Sequence, residues 1–177
     1  MEILWILLIV AAIVLIWAVS TVNGFKRKEI KVEEARSGIE VALTKRYDML
    51  TKLLDTAKGY MTHEKDTMET VIKMRRGMSV DELQQASKQM DAVASSIQVT
   101  AEAYPELRSS EVFNQLQRGI VDAEEHLQAA RRVYNANVSA YNTAIAMAPA
   151  SLLAGGRQSK AFFEAEAHKR EDVKISF

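Results

Sequence analysis

The clearest candidates for metal chemistry are two pairs in which an acidic residue precedes a histidine by four positions, Asp122 with His126 and Glu164 with His168. On a helix this spacing places both side chains of a pair on one face, an arrangement found among zinc ligands. None of the three histidines follows an acidic residue by three positions, so the Glu-x-x-His motif of di-iron bundles is absent from the sequence. Such pairs on charged helix faces are usually solvated. We therefore predict no metal site, with zinc binding at Asp122 and His126 as the alternative.

Other catalytic motifs are also missing from the sequence. The chain has no cysteine, which excludes thiol catalysis and disulfides, and no serine lies in a nucleophile elbow. Gly155 and Gly156 follow no predicted strand, so they do not form a phosphate-binding loop. The 23 basic and 23 acidic side chains cancel, which argues against a nucleic-acid partner. We predict no catalytic residue, no cofactor and no enzymatic activity.

A Tyr-Asn pair occurs twice, as Tyr134-Asn135 and, one heptad later, as Tyr141-Asn142. On a helix this spacing puts both tyrosines on one face and both asparagines on the adjacent face. One interpretation is structural: the tyrosine rings are buried, and the asparagines hydrogen-bond across helices and set their register. The other is a polar strip that recognises a partner. We favour the structural interpretation because no other motif converges on these positions.

Charged residues are concentrated just before this repeat. Arg131 and Arg132 follow Glu124 and Glu125 within two helical turns, which suggests a charged network between helices. We predict that these are surface ion pairs, which contribute little to stability.

The element that positions the rest of the chain is an uncharged apolar run, residues 3–22. About 20 such residues form a helix that crosses the hydrocarbon core of a bilayer. Only Glu2 precedes the run as a charged side chain, whereas four basic residues follow it between positions 26 and 31. Because positive residues stay on the cytoplasmic side, we predict a single-pass cell-membrane protein with its N-terminus outside and its helical domain in the cytoplasm. A cleaved signal peptide is the alternative, but the run lacks a basic residue ahead of it and is longer than a usual signal core.

Beyond this transmembrane anchor, residues 1–24, apolar side chains recur at steps of three and four, as on one face of a helix. Four such stretches follow one another, at residues 29–60, 62–77, 80–104 and 111–148. A capping box of Ser79 and Glu82 opens the third stretch, and Pro105 ends it. Ser109 or Ser110 caps the fourth.

These stretches predict an all-α fold, in which the N-terminal transmembrane helix is followed by an elongated antiparallel four-helix bundle of residues 25–149. The two prolines, seven glycines and scarcity of alternating β-branched runs agree with this class. A three-rod version is the alternative, in which the second and third helices lie end to end across Gly77.

The C-terminal tail, residues 150–177, shows a weaker pattern. Residues 151–160 resemble a flexible linker, and residues 161–170 resemble a short helix that exposes Phe162 and Phe163. Apolar residues near a terminus lie loose unless they are docked, so the tail packs on its own bundle, on a neighbour or on the membrane surface. Our hypothesis is that it contributes to a contact with a neighbouring molecule.

Blocks of sequence along essentially the entire chain resemble the LemA family. The blocks are TKRYDMLTKLLDTAKGY at 44–60, AEAYPELRS at 101–109, LQAARRVYN at 127–135, SAYNT at 139–143 and FFEAEAHKREDVKISF at 162–177. Thr51 is one departure, since many members carry proline there. The resemblance implies one N-terminal membrane helix with a short outer end, a cytoplasmic helical bundle and no established enzymatic activity.

Two functions of different classes follow from these patterns. The first is a membrane-anchored scaffold or adaptor, with the lipid bilayer, other membrane proteins and copies of itself as partners. The second is a metal-dependent or otherwise enzymatic bundle built on Asp122 and His126. A stoichiometric metal that is retained without chelator and lost in His126→Ala would favour the second.

Overall fold

The computed structural model describes residues 1–58 and 77–163, which are mostly helical. Four α-helices and one 3₁₀ turn occur in them: α1 (Glu2–Lys58), α2 (Val80–Ala103), α3 (Pro105–Ser109), α4 (Glu111–Ala146) and the 3₁₀ turn Ala150–Leu153. No β-strand occurs in this part of the chain. The predicted fold class, all-α with an apolar N-terminal helix followed by a helical bundle, is confirmed. The predicted helix at residues 62–77 lies, except for its last residue, outside the described residues.

The longest helix, α1, joins the apolar N-terminal run to the bundle without a break. The run is long and apolar enough to cross a membrane, and none of it is buried against the rest of the protein. Burial begins at Phe25 and recurs at Val32, Ile39 and Leu53, all on one heptad register. At 1.5 Å per residue α1 is about 85 Å long, of which about 30 Å suffices for the span.

The ends of α2 and α4 follow from local side chains. The Ser79 hydroxyl accepts a hydrogen bond from the Glu82 N–H at 3.2 Å, and the Glu82 carboxylate accepts one from the Ser79 N–H at 2.7 Å, so the predicted capping box is confirmed. Pro105 begins the single turn α3, which the sequence patterns did not indicate. Ser110, and not Ser109, caps α4: its hydroxyl accepts a hydrogen bond from the Phe113 N–H.

The helices α1 and α2 run in the same direction, and α4 runs antiparallel to both. Side-chain contacts give these directions: Arg36 with Met78 and Arg46 with Asp91 for α1 and α2, and Gln98 with Gln117 and Ser87 with Arg131 for α2 and α4. The three-rod version requires α2 to run opposite to α1, so that alternative is wrong. The most extensive packing is between α1 and α4.

One continuous apolar core joins the three long helices and the tail. The rings of Tyr134 and Tyr141 are buried in it, as predicted, and Phe163 of the tail belongs to the same cluster. Two arginines, Arg46 and Arg131, are buried beside these apolar residues. Because a guanidinium keeps its charge at all ordinary pH values, each of them needs polar partners inside the bundle.

After α4 the chain turns back along the same helix. Gly155 and Gly156 have φ angles of 57° and 74°, a region that favours glycine, and they reverse the chain just after the 3₁₀ turn. Residues 161–163 are not helical, so the predicted helix at 161–170 is wrong for this part; its remainder lies outside the described residues. The reason is that backbone groups of this segment bind side chains of α4 and not each other.

Candidate functional site

The tail segment, residues 160–163, lies against α4 where the Tyr-Asn repeat forms a groove. The Asn142 side-chain amide donates to the Lys160 carbonyl at 2.9 Å and accepts from the Lys160 N–H at 2.8 Å. Asn135 makes the same two contacts with Phe163, at 2.9 and 2.8 Å. These two residues, the asparagine pair, therefore bind backbone N–H and C=O groups, whose positions do not depend on side-chain identity.

One heptad of α4 is about as long as three extended residues of the tail segment. Seven residues of α-helix rise about 10.5 Å, and three residues of extended chain cover about 10 Å. The asparagine pair can therefore make both sets of contacts only with an extended chain. Since Asn142 binds Lys160 and Asn135 binds Phe163, the tail segment runs antiparallel to α4.

This arrangement corrects the structural interpretation of the Tyr-Asn repeat. The tyrosine rings are buried, but the asparagines do not hydrogen-bond to another helix; they bind the extended tail segment. The alternative of a polar recognition strip is closer to what the structure shows. The sequence did not reveal the binding partner of the asparagines, because the tail segment lies 18 to 28 residues away from them.

Two further side chains bind the backbone between Lys160 and Phe163. The Tyr134 hydroxyl donates to the Ala161 carbonyl at 2.9 Å. Gln84 of α2 donates to the Phe162 carbonyl at 3.4 Å, so both α2 and α4 contact the tail segment. Backbone atoms of all four residues in the segment are thereby hydrogen-bonded.

Phe163 is the residue of the tail segment whose side chain enters the core. Its ring is 3% exposed, and the Arg131 guanidinium lies 4.8 Å from the ring centroid, close enough for a cation–π interaction. Arg131 also donates to the Ser87 hydroxyl of α2 at 2.7 Å. The prediction of a surface ion pair at Arg131 is wrong, because positions 131, 138 and 145 share one buried heptad register.

Charged groups of the tail contact α1 just beyond its apolar run. Lys160 Nζ lies 3.6 Å from Glu29 Oε1 and 5.9 Å from the Tyr141 ring centroid. The pKa of Glu29 is lowered, mainly by a hydrogen bond from Lys26 and also by Lys160. The Arg157 guanidinium lies 5.3 Å from the Phe25 ring centroid. The tail thus docks on the half of the bundle nearest the candidate span.

Burial raises the pKa of Tyr134 above the ordinary value of 10.0; nearby Arg36 opposes the rise and Glu33 adds to it. The folded state therefore holds the phenol proton more tightly than the unfolded state does. The stability that this provides is complete below the unfolded pKa and is lost as the pH rises through the folded pKa.

At neutral pH, we expect Tyr134→Phe to lower the free energy of unfolding by about 1 kcal/mol, the value of one hydrogen bond. Above a pH of about 10 the wild type loses stability through this tyrosine and the variant does not, so the difference between them shrinks. Thermal unfolding followed by circular dichroism in detergent between pH 7 and 11 measures it. A difference that stays constant over this range contradicts the assignment.

We expect Asn142→Ala to weaken docking of the tail segment by about 2 kcal/mol, because two hydrogen bonds of about 1 kcal/mol each are lost. This corresponds to roughly a 30-fold increase in the open fraction. Hydrogen exchange at the Lys160 amide measures it. Asn137→Ala is the matched control, since Asn137 donates to the Val133 carbonyl of its own helix. Equal exchange rates in the two variants would show that the contact is dispensable.

Of the two histidine pairs, the described residues include Asp122 with His126. Asp122 and His126 lie in an open surface depression of α4 that Glu125 also lines. Among residues 1–58 and 77–163, no group of three or more potential metal-binding side chains comes together. Glu164 and His168 lie outside the described residues.

A charge cluster centred on the buried Arg46 links the three long helices. One guanidinium nitrogen of Arg46 in α1 pairs with Asp91 of α2, and another lies 3.2 Å from Glu124 Oε2 of α4. The Arg46 side chain is 6% exposed, whereas Asp91 and Glu124 are 34% and 25% exposed. Sequence reasoning missed Arg46. Arg46 lies three heptads after Phe25, in the register of the buried residues of α1, and this position is the sequence signal for its burial.

Together these features define a class, a helical bundle on a candidate membrane span with an extended segment hydrogen-bonded along α4 and to α2. The profile of the LemA family matches residues 35–177. The chain belongs to the LemA family, and the resemblance found in the sequence blocks is confirmed. Protein LemA of Metamycoplasma hominis is 26% identical over 128 residues, which are 70% of this chain and 58% of that protein. The chain thus spans less than two thirds of that relative's length.

Proposed function

We propose that the protein is a membrane-anchored scaffold or adaptor, which presents helical surfaces next to the bilayer and associates with other membrane proteins and with copies of itself. The observation that carries this proposal is the continuity of α1, which contributes both the candidate span and one wall of the bundle. A surface on the bundle is consequently held at a fixed distance from the membrane. The proposal includes no enzymatic step.

The charges around the candidate span support an N-terminus outside the cell and a bundle in the cytoplasm. Because the chain has no cysteine, one introduced thiol can be followed alone. We expect Val121→Cys, at an exposed position of α4, to react with a membrane-impermeant maleimide only after cells are permeabilised. Glu2→Cys is the control and is expected to react in intact cells. The opposite pattern would reverse the orientation.

Self-association is tested by counting copies of the full chain in native membrane fragments extracted with a copolymer. Single-molecule photobleaching of a fluorescent fusion gives the number of copies in each fragment. We expect more than one copy per fragment, above the level of an unrelated single-span protein expressed at the same density. A distribution equal to that of the control would remove self-association from the proposal.

A further inference from the structure

We propose that the asparagine pair and the side chains beside it form a binding site for an extended polypeptide main chain, and that the tail segment of a second copy exchanges into this site. The inference rests on the self-association part of the proposed function and assigns to it a site and a ligand. In the structure described here the site holds the tail segment of its own chain.

The contacts of the groove fit a ligand defined by its backbone. Within the described residues, six hydrogen bonds join Gln84, Tyr134, Asn135 and Asn142 to the tail segment, and each of them ends on a backbone atom of that segment. Main-chain hydrogen bonds of this kind give affinity in strand-binding sites, and side-chain pockets give specificity. The groove is therefore equipped to bind an extended peptide and not only to fill space in the core.

Two side chains of the tail segment define its specificity. Lys160 lies between the Glu29 carboxylate and the Tyr141 ring, and Phe163 is buried under the Arg131 guanidinium. The matching ligand is thus an extended segment with a cation and, three residues later, an aromatic side chain. Every copy of this chain carries such a segment in residues 160–163.

The position of the groove favours exchange between neighbouring copies. The tail segment contacts α1 at Glu29, about 10 Å along the helix from the end of the apolar run at Val22. Anchored copies therefore hold their grooves at one height above the bilayer. Residues 147–159 connect α4 to the tail segment and span roughly 45 Å when extended, which exceeds the width of a helix pair.

A tail segment makes the same contacts in its own groove and in that of a neighbour. The cost of exchange is therefore set by the connecting residues, whose 3₁₀ turn and Arg157 contact with Phe25 are given up when they extend. The ratio of the two arrangements then depends on local concentration. We expect the fraction of exchanged tails to rise with the density of the protein in the membrane.

The test uses two full-length single-cysteine variants, Gln84→Cys and Phe162→Cys, which carry tags of different size. The Gln84 amide and the Phe162 carbonyl are 3.4 Å apart in the docked state. The two variants are reconstituted together in liposomes and treated with a short bifunctional thiol reagent. We expect a cross-linked heterodimer whose yield rises with the ratio of protein to lipid.

Two controls make the result specific to the groove. Val121→Cys replaces Gln84→Cys as the matched exposed position outside the groove and is expected to give at least tenfold less heterodimer with Phe162→Cys. Adding Asn135→Ala and Asn142→Ala to the Gln84→Cys chain is expected to lower the yield by at least tenfold, with helical content checked by circular dichroism. An undiminished yield in either control would overturn the inference.

A third variant carries both Gln84→Cys and Phe162→Cys in one chain. Cross-links only within single chains at every protein density would also overturn the inference, because the tail would then stay in its own groove. Copy counting separates this failure from failure of the proposed function. Multiple copies per fragment without heterodimer would remove tail exchange alone, whereas single copies throughout would remove self-association as well.

Discussion

Phe163→Ala is expected to release the tail segment and to lower the free energy of unfolding by about 3 kcal/mol, the lower end of the range for buried phenylalanine. The ring is 3% exposed, and its removal leaves a cavity beneath the Arg131 guanidinium. The two hydrogen bonds to Asn135 are expected to break with it, because an unanchored segment gains more conformational entropy than two partly buried hydrogen bonds offset. Thermal unfolding and hydrogen exchange at the amides of residues 160–163 measure the two effects.

Phe162→Ala is the matched control for this prediction. Phe162 is adjacent in sequence and identical in type, but it is 48% exposed. We expect its replacement to change the free energy of unfolding by less than about 0.5 kcal/mol and to leave amide protection in place. Similar losses in both variants would mean that general chain contacts, and not the buried ring, hold the tail segment.

The double variant Asp91→Asn and Glu124→Gln is expected to lower the free energy of unfolding by about 3 to 5 kcal/mol. It removes the two carboxylates that face Arg46 and leaves a guanidinium that cannot lose its charge in a buried position. For a chain of this size such a loss corresponds to a fall in Tm of roughly 10 °C. Circular dichroism of the full chain in detergent measures it.

Adding Arg46→Met to this double variant is expected to restore most of the lost stability. The buried charge is then replaced by a somewhat shorter apolar side chain, and replacements of buried ion pairs by apolar residues are often neutral. The effects of the three substitutions are therefore strongly non-additive. A triple variant no more stable than the double variant would show that the charge cluster acts by packing and not through charge.

The helices were predictable where their signals were local. Ser79 with Glu82, and Ser110, define helix starts through neighbouring side chains and amides, and the heptad pattern of α4 identified Tyr134 and Tyr141 as buried. These features depend on residues within a few turns of each other, so no knowledge of the tertiary structure is needed. The family resemblance followed from the same blocks of sequence.

The candidate site was only half predictable. The Tyr-Asn repeat indicated where it lies, but its ligand is a segment whose weak helical pattern is overruled by side chains of α4. Arg46 and Arg131 were missed for another reason. Charged residues are rarely buried, so their residue type alone predicts that both arginines lie at the surface. Their heptad positions, in contrast, place both of them in the core.

Because α1 is unbroken, a tilt of its apolar run also tilts the part of α1 that belongs to the bundle. The part of α1 from Val22 to Lys58, beyond the apolar run, is about 54 Å long. Transmembrane helices tilt by about 20° on average and adjust this tilt to bilayer thickness. A tilt of 20° displaces the Lys58 end of this part of α1 by roughly 18 Å parallel to the membrane plane. If the candidate span crosses a bilayer, variation in membrane thickness is expected to move the distal end of the bundle laterally.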